Sequence, residues 1–229
     1  MEGDSHLGFI TGPTVSMWFM HSVVNLFKDD NDHRFAADYI LVHGPYIHTN
    51  RDRLVAEFMD AGRDWLLMVD NDMVFEPRDV WALFEQADEH GPGIYTAPYI
   101  TEEGLLTAGP WDSEQELAYH PLVKVPDRPT PVGVAGAGFT LVHREVYEAV
   151  GEHPYSAAKP GVGEDVSFSW RARWEGYTPL LVPASMPGHH KVVVVYPSAE
   201  VRNIIGDNVN LVEVDGREGN PVAPLEMSQ

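Results

Sequence analysis

The chain has no cysteine among its 229 residues. That excludes disulfide staples, thiolate metal sites and cysteine nucleophiles. Positive charge is scarce as well: 15 Lys and Arg stand against 35 Asp and Glu, a net charge of -20. Such a surface repels phosphate backbones and anionic lipid, which argues against nucleic acid and acidic membranes as partners. An anionic ligand would need a local cation to offset the field. A long uninterrupted apolar run is also missing. Residues 7–27 are rich in apolar side chains, but Gly12-Pro13 breaks the run and His21 and Asn25 lie within it. Glu2 and Asp4 precede it with no Lys or Arg, the wrong charge for a secretion signal. The expectation is a chain with no membrane span, resident in the cytoplasm. What remains is ordinary for a globular protein: 44% hydrophobic and 22% charged residues, with length enough for one substantial core.

Strand and helix patterns alternate through the first half. Residues 7–11 read as a strand, 15–27 as a helix and 39–43 as a second strand closed by Gly44-Pro45. Thr49 or Asn50 caps a helix over 51–61, ended by Gly62. A buried strand follows over 65–69, then a helix opened by Pro77 and stopped by Gly91-Pro92-Gly93, then a short strand over 94–97. This alternation predicts parallel pairing and a doubly wound sheet. Residues 101–131 are proline-bearing and weakly periodic, a long excursion over the mouth of the site. Further on come a glycine-rich β segment over 132–142, a helix over 144–150, a helix over 166–175, a strand over 178–182, a turn over 187–190 and a strand over 192–196. The chain reads as a single domain, with a core over about 7–197 and a hairpin or tail over 198–229.

The most informative stretch is Trp65-Leu66-Leu67-Met68-Val69-Asp70-Asn71-Asp72. Ligands of open α/β sheets bind outside the carboxyl ends of the strands. Two carboxylates there can hold Mg2+ or Mn2+ through oxygen, and the ion can clamp a diphosphate. Asp70 or Asn71 would otherwise simply shape the turn. Both carboxylates share one mouth only if the chain stays extended through Asn71. Gly161-Val162-Gly163-Glu164-Asp165 is the second constellation: two acids opening a helix serve as capping, or one serves as a general base. Gly188-His189-His190 is the third; a histidine placed after a late strand could ligate a metal, and an added imidazole would favour Mn2+. Thr11, Gly12 and Pro13 end the first strand, where a base or ribose can rest. Asn50, Arg51 and Arg53 stand at a helix start where Arg could meet phosphate, or else form a solvated helix face. Gly136-Ala137-Gly138 could let backbone approach a sugar, and Trp111 or Tyr99 could stack on one, although aromatics also serve as core.

In this order the motifs resemble a GT-A fold glycosyltransferase of the family 2 type. Four carry the likeness: Thr49-Asn50-Arg51 with Leu54-Val55; Leu66 to Asp72 as the DxD motif; Gly136 to Val142 with Arg144-Glu145-Val146 and Gly151; and Gly163-Glu164-Asp165 with Phe168, Arg171 and Gly176 as the ED motif. The resemblance implies an α/β, Rossmann-like, mostly parallel central sheet flanked by helices, with a small additional antiparallel sheet. It implies a hexosyltransferase that moves a sugar from a UDP- or GDP-sugar to a carbohydrate, protein or small-molecule acceptor, inverting at the anomeric carbon. Asp72 would ligate the metal, Asp70 would share it or bind the ribose, and His189 would complete the site with His190 as the fallback. Thr11, Gly12, Pro13, Asn50, Arg51, Asn71 and Gly138 would line the donor, Asp165 would be the base and Glu164 would orient the acceptor. The chain is short for the family and shows no acceptor module, which favours a single transfer over polymer synthesis. A homo-oligomer is compatible with all of this. A retaining transferase, a nucleotidyltransferase, a noncatalytic nucleotide-sugar binder and a metal-dependent hydrolase are the competing readings. The loop Thr11-Gly12-Pro13-Thr14 carries no Lys or Arg, which counts against the nucleotidyltransferase.

Overall fold

A computed structural model describes residues 4–12, 14–101, 104–113 and 115–190, the side chains of 36–38 excepted. Pro13, the strand expected over 192–196 and the tail over 198–229 lie outside the described residues. The elements run β1 (Ser5–Thr11), α1 (Met17–Asp29), β2 (Phe35–His43), α2 (Ile47–Ala61), β3 (Trp65–Asp70), β4 (Met73–Val74), α3 (Pro77–His90) and β5 (Ile94–Thr96). They continue through β6 (Ala108–Gly109), β7 (Trp111–Ser113), β8 (Ala118–Tyr119), β9 (Thr130–Pro131), β10 (Val134–Ala135), β11 (Phe139–His143), α4 (Arg144–Val150), α5 (Glu164–Trp174), β12 (Leu180–Leu181) and β13 (Gly188–His189).

Local chemistry accounts for most boundaries. Ser16 caps α1, its Oγ accepting from Phe19 N at 3.0 Å. Pro77 opens α3, where Glu76 and Asp79 form a reciprocal capping box. Gly62 closes α2 at φ 73°, a left-handed angle that glycine adopts without strain. Two expectations need correction. Asn50 does not cap α2, which starts at Ile47; instead its Nδ2 donates to Gly44 O at 3.0 Å and ties down the preceding turn. The segment at Pro187 is not all turn, because Gly188 and His189 pair antiparallel with Val74 and Met73.

Seven strands form the main sheet, in the order β2-β1-β3-β11-β5-β12-β9. Five of them point the same way; β11 and β9 run against them. β11 is the insertion the helix–strand alternation did not announce. It enters antiparallel between β3 and β5, pairing Phe139 with Val69 and Leu141 with Tyr95. Small two-stranded antiparallel pairs, β10-β6, β13-β4 and β7-β8, flank the sheet. The excursion over 101–131 is thus partly built from short strands.

Side-chain alternation divides the core into two layers. Leu7, Phe9, Leu67 and Val69 pack under α1 and α3 through Phe19, Val23, Leu83 and Phe84. Ile10, Val42, Leu66 and Met68 pack under α2, α4 and α5 through Leu54, Phe58, Tyr147 and Phe168. A sheet covered on both faces leaves its strand ends as the place for a ligand.

Candidate functional site

β1 and β3 are parallel neighbours, so Thr11 and Asp70 end on the same rim. A cleft of about 270 Å³ opens there, lined by Thr11, Gly12, Asn50, Asp70, Asn71 and Asp72 among others. A larger cavity of about 650 Å³ shares none of these residues; Trp18, His21, Val74, Arg78 and Gly188 help to line it. The smaller cleft is the one that holds the paired carboxylates, Asp70 and Asp72.

The chain does not stay extended through Asn71: Asn71 and Asp72 form a turn. That turn, rather than strand alternation, brings both aspartates to one cleft. Asn71 holds the turn against the loop after β1, its N donating to Ile10 O at 3.3 Å and its Nδ2 to Thr14 O at 3.1 Å. β13 then lays His189 beside Met73. His189 Nε2 comes within 3.1 Å of Asp72 Oδ2, while His190 meets Asp72 through its backbone, its N donating to Asp72 O at 2.7 Å. On its other side His189 Nδ1 lies 2.7 Å from Ile100 O. A carbonyl only accepts, so Nδ1 carries a proton and Nε2 meets the carboxylate through either a proton or a metal ion. Tyr99 packs edge-on against the imidazole, ring centroids 5.4 Å apart.

Arg51 is buried, and α2 carries it beneath the cleft. Its Nη2 donates to Asp70 Oδ2 at 2.9 Å, its Nε to Glu164 Oε1 at 3.3 Å, and its Nη1 to Ala137 O at 3.1 Å. Its guanidinium also sits 5.8 Å from the Tyr155 ring centroid. Burial works against the charge, but Asp70 and Glu164 outweigh it and hold the guanidinium above its usual pKa. Placed here, Arg51 is engaged by protein acceptors instead of standing at the phosphate position expected of it. Arg53 points outward and pairs with Glu57 at 2.9 Å, the solvated-face outcome. For Asp70, burial pushes the carboxyl pKa up although Arg51 pulls it down. Among the described residues its buried Oδ1 has no hydrogen-bond partner, leaving an acceptor open to a donor or a cation.

Glu164 and Asp165 occupy the first turn of α5. Asp165 is half-buried, its Oδ1 accepting from Val166 N at 2.8 Å. Burial first, and the neighbouring Glu164 carboxylate second, push its pKa up to about 6. Burial first raises the pKa of Tyr119 on β8, with the Asp165 carboxylate next, and burial likewise raises Tyr99, with Asp70 and then Asp165 adding to it. Trp111 packs with Val134 and Val166, against the base of α5. Backbone approach matters at Gly138: a Cβ there would lie 2.8 Å from Tyr99 Oη and 3.0 Å from Asp70 Oδ2. Gly138 N instead donates to Tyr99 Oη at 2.9 Å, and Asp70 N donates to Gly138 O at 2.9 Å.

The fit of a divalent cation can be judged from this donor set. Asp72 and His189 offer one oxygen and one imidazole nitrogen whose remote N–H is fixed by a carbonyl, an arrangement common behind metal-ligating histidines. Among the described residues no group of three or more such side chains is present. Mg2+ and Mn2+ sites often use one or two protein groups and leave the rest to phosphate and water, so the residues fit such an ion shared with a diphosphate.

Asp52 and Ile100 are the residues that sequence reasoning missed. Asp52 accepts from Tyr155 N at 2.7 Å and from Ser156 Oγ at 3.0 Å, tethering the loop that leads to α5. An acid on a helix gives no signal of such a role, and a backbone carbonyl gives none at all.

No protein-family model matches the sequence, and no curated protein sequence matches it. Solved structures are similar to it. A197 from STIV matches with a TM-score of 0.54 at 14% identity, covering 86% of this chain and 98% of that one. GalNAc-T7, solved with UDP, GalNAc and Mn2+, matches with a TM-score of 0.59 at 12% identity, covering 83% of this chain. This chain spans 44% of the GalNAc-T7 chain. No helix among the described residues is long and apolar enough to cross a membrane. The likeness lies in the fold: a mixed α/β, glycosyltransferase-like architecture of the GT-A type.

Proposed function

We propose that this chain is a metal-dependent glycosyltransferase, moving a sugar from a UDP- or GDP-sugar to an acceptor hydroxyl with inversion. One observation carries the reading: a single buried guanidinium, Arg51, reaches both Asp70 at the rim of the nucleotide-type cleft and Glu164 at the start of α5. Each Arg51 partner lies within two residues of a proposed reacting group: Asp70 precedes Asp72, which meets His189, and Glu164 precedes Asp165, whose pKa is raised. Thr11, Gly12, Pro13, Asn50, Asn71 and Gly138 would line the nucleoside and sugar. Asp72 and His189 would hold the ion. When bound, Mn2+ or Mg2+ offsets charge on the departing nucleoside diphosphate.

The remaining roles belong to side chains. Asp165 takes the proton of the acceptor hydroxyl as that oxygen attacks the anomeric carbon. The bond from that carbon to the diphosphate breaks through an oxocarbenium-like state, and the electron pair leaves with the diphosphate. Arg51 holds the Asp70 and Glu164 side chains in place through its hydrogen bonds to both. Tyr99 and the backbone of Gly138, joined by a hydrogen bond, would form the floor beneath the sugar. The test is a transfer assay with UDP- and GDP-sugars in Mn2+, with the product anomer read by NMR. Asp165→Asn should retain donor binding and lose transfer by about 100-fold or more. Full transfer by that variant would remove Asp165 as base, and donor binding without any turnover by the parent chain would favour a noncatalytic binder.

A further inference from the structure

β2 forms one border of the main sheet, and among the described residues no strand pairs with its outer edge. A nine-residue strand with a free edge is a template for further pairing. Tyr39 and Leu41 on it are 54% and 45% exposed. Tyr39 lies on the sheet face that α1 covers, because Phe9 touches both Phe19 of α1 (5.3 Å between centroids) and Tyr39 (5.7 Å). Leu41, two residues on, shares that face.

α1 has a second apolar stripe beyond its buried one. Phe19, Ser22, Val23 and Leu26 face inward, and Ser22 Oγ accepts from Phe75 N at 2.9 Å on the flank toward α3. Helical spacing turns Met17, Met20, Val24 and Phe27 away from Ser22, to the opposite flank. They are 73%, 45%, 43% and 38% exposed and carry no charge between them. With Tyr39 and Leu41 they present on the order of 600 Å² of apolar surface, at the top of what a lone monomer usually shows and close to the roughly 800 Å² each partner buries in a standard interface.

From this we infer that the β2 edge and the outer flank of α1 form the interface of a homodimer. The occupant is a second copy of the chain. Two identical edge strands pair antiparallel about a two-fold axis, each satisfying the other's backbone groups, and the same axis brings the two α1 flanks together. The interface is isologous and closes at two chains. It opposes a net charge of -20 on each chain, so added salt strengthens it by screening that repulsion. The inference stands whether or not the chain transfers sugars.

Sedimentation velocity on the full chain, at micromolar concentrations and at low and high salt, tests it. The expected species has twice the 25.5 kDa chain mass, and its dimer fraction rises with salt. Met20→Lys and Leu41→Lys, both exposed in the monomer, should each weaken the dimer about tenfold or more while leaving the circular dichroism melt intact. Trp174→Lys, which replaces the 68%-exposed indole at the end of α5, should leave it unchanged. Single-chain mass under all conditions overturns the inference. So does a dimer indifferent to both lysines, or one broken only by Trp174→Lys. Hydrogen-exchange protection of the β2 outer edge in a monomer would assign that edge to another part of the same chain and overturn it equally.

Discussion

Asp165→Asn should stabilise this protein, and by an amount that depends on pH. The folded carboxyl binds its proton more tightly than the unfolded one, with its pKa lifted from 3.8 to about 6 by burial and by Glu164. Folding is therefore favoured in acid, and that advantage is lost as pH rises from the unfolded value through about 6. Above that window the wild type carries a penalty of about 3 kcal/mol, from about two units at 1.36 kcal/mol each. Asparagine keeps the shape and can still accept from Val166 N, so it escapes the penalty without losing the hydrogen bond. Urea unfolding of both proteins at matched pH gives the difference directly. Every other carboxylate titrates in both chains, so only Asp165 and its coupling to Glu164 remain. The variant should match the wild type below pH 4 or so and exceed it by up to about 3 kcal/mol at pH 8. A gap that does not change with pH, or a variant less stable at pH 8, would refute the reasoning. In the transfer assay the same group predicts an acidic limb near pH 6 that the variant lacks.

Three further expectations concern the floor of the cleft. Arg51→Met leaves Asp70 and Glu164 without their shared cation and should cost about 3–5 kcal/mol at pH 7 by urea unfolding. Arg51→Lys keeps the charge but cannot reach both carboxylates in the same geometry, so its loss should be smaller. Gly138→Ala puts a Cβ 2.8 Å from Tyr99 Oη and should cost about 1–3 kcal/mol; Tyr99→Phe removes that atom, so the double variant should regain part of the loss in a thermal melt.

Much of the frame could be read from residue order, because each signal there was local. The apolar run ending in Asp70 became β3, Pro77 opened α3, and α4 spans the 144–150 expected of it. The direction of β11 could not be read, since an apolar segment pairs equally well either way and only its neighbours decide. Asn50 misled because a residue that caps helices also ties turns, and here it does the second. Arg51 drew attention as a cation near strand ends, yet its partners lie 19 and 113 positions away along the chain. No spacing rule links such positions. The contact of His189 with Asp72 spans 117 positions and arises from a two-residue strand pair too short to leave a pattern.

The central claim is that Asp72 and His189 hold a divalent cation shared with a nucleoside diphosphate, and calorimetric titration of UDP or GDP with and without Mn2+ tests it most directly. The account predicts tight binding only with the ion, loss of that binding in Asp72→Ala, and metal affinity reduced about 10- to 100-fold in His189→Ala. Binding that ignores the metal, or that survives Asp72→Ala unchanged, would contradict it.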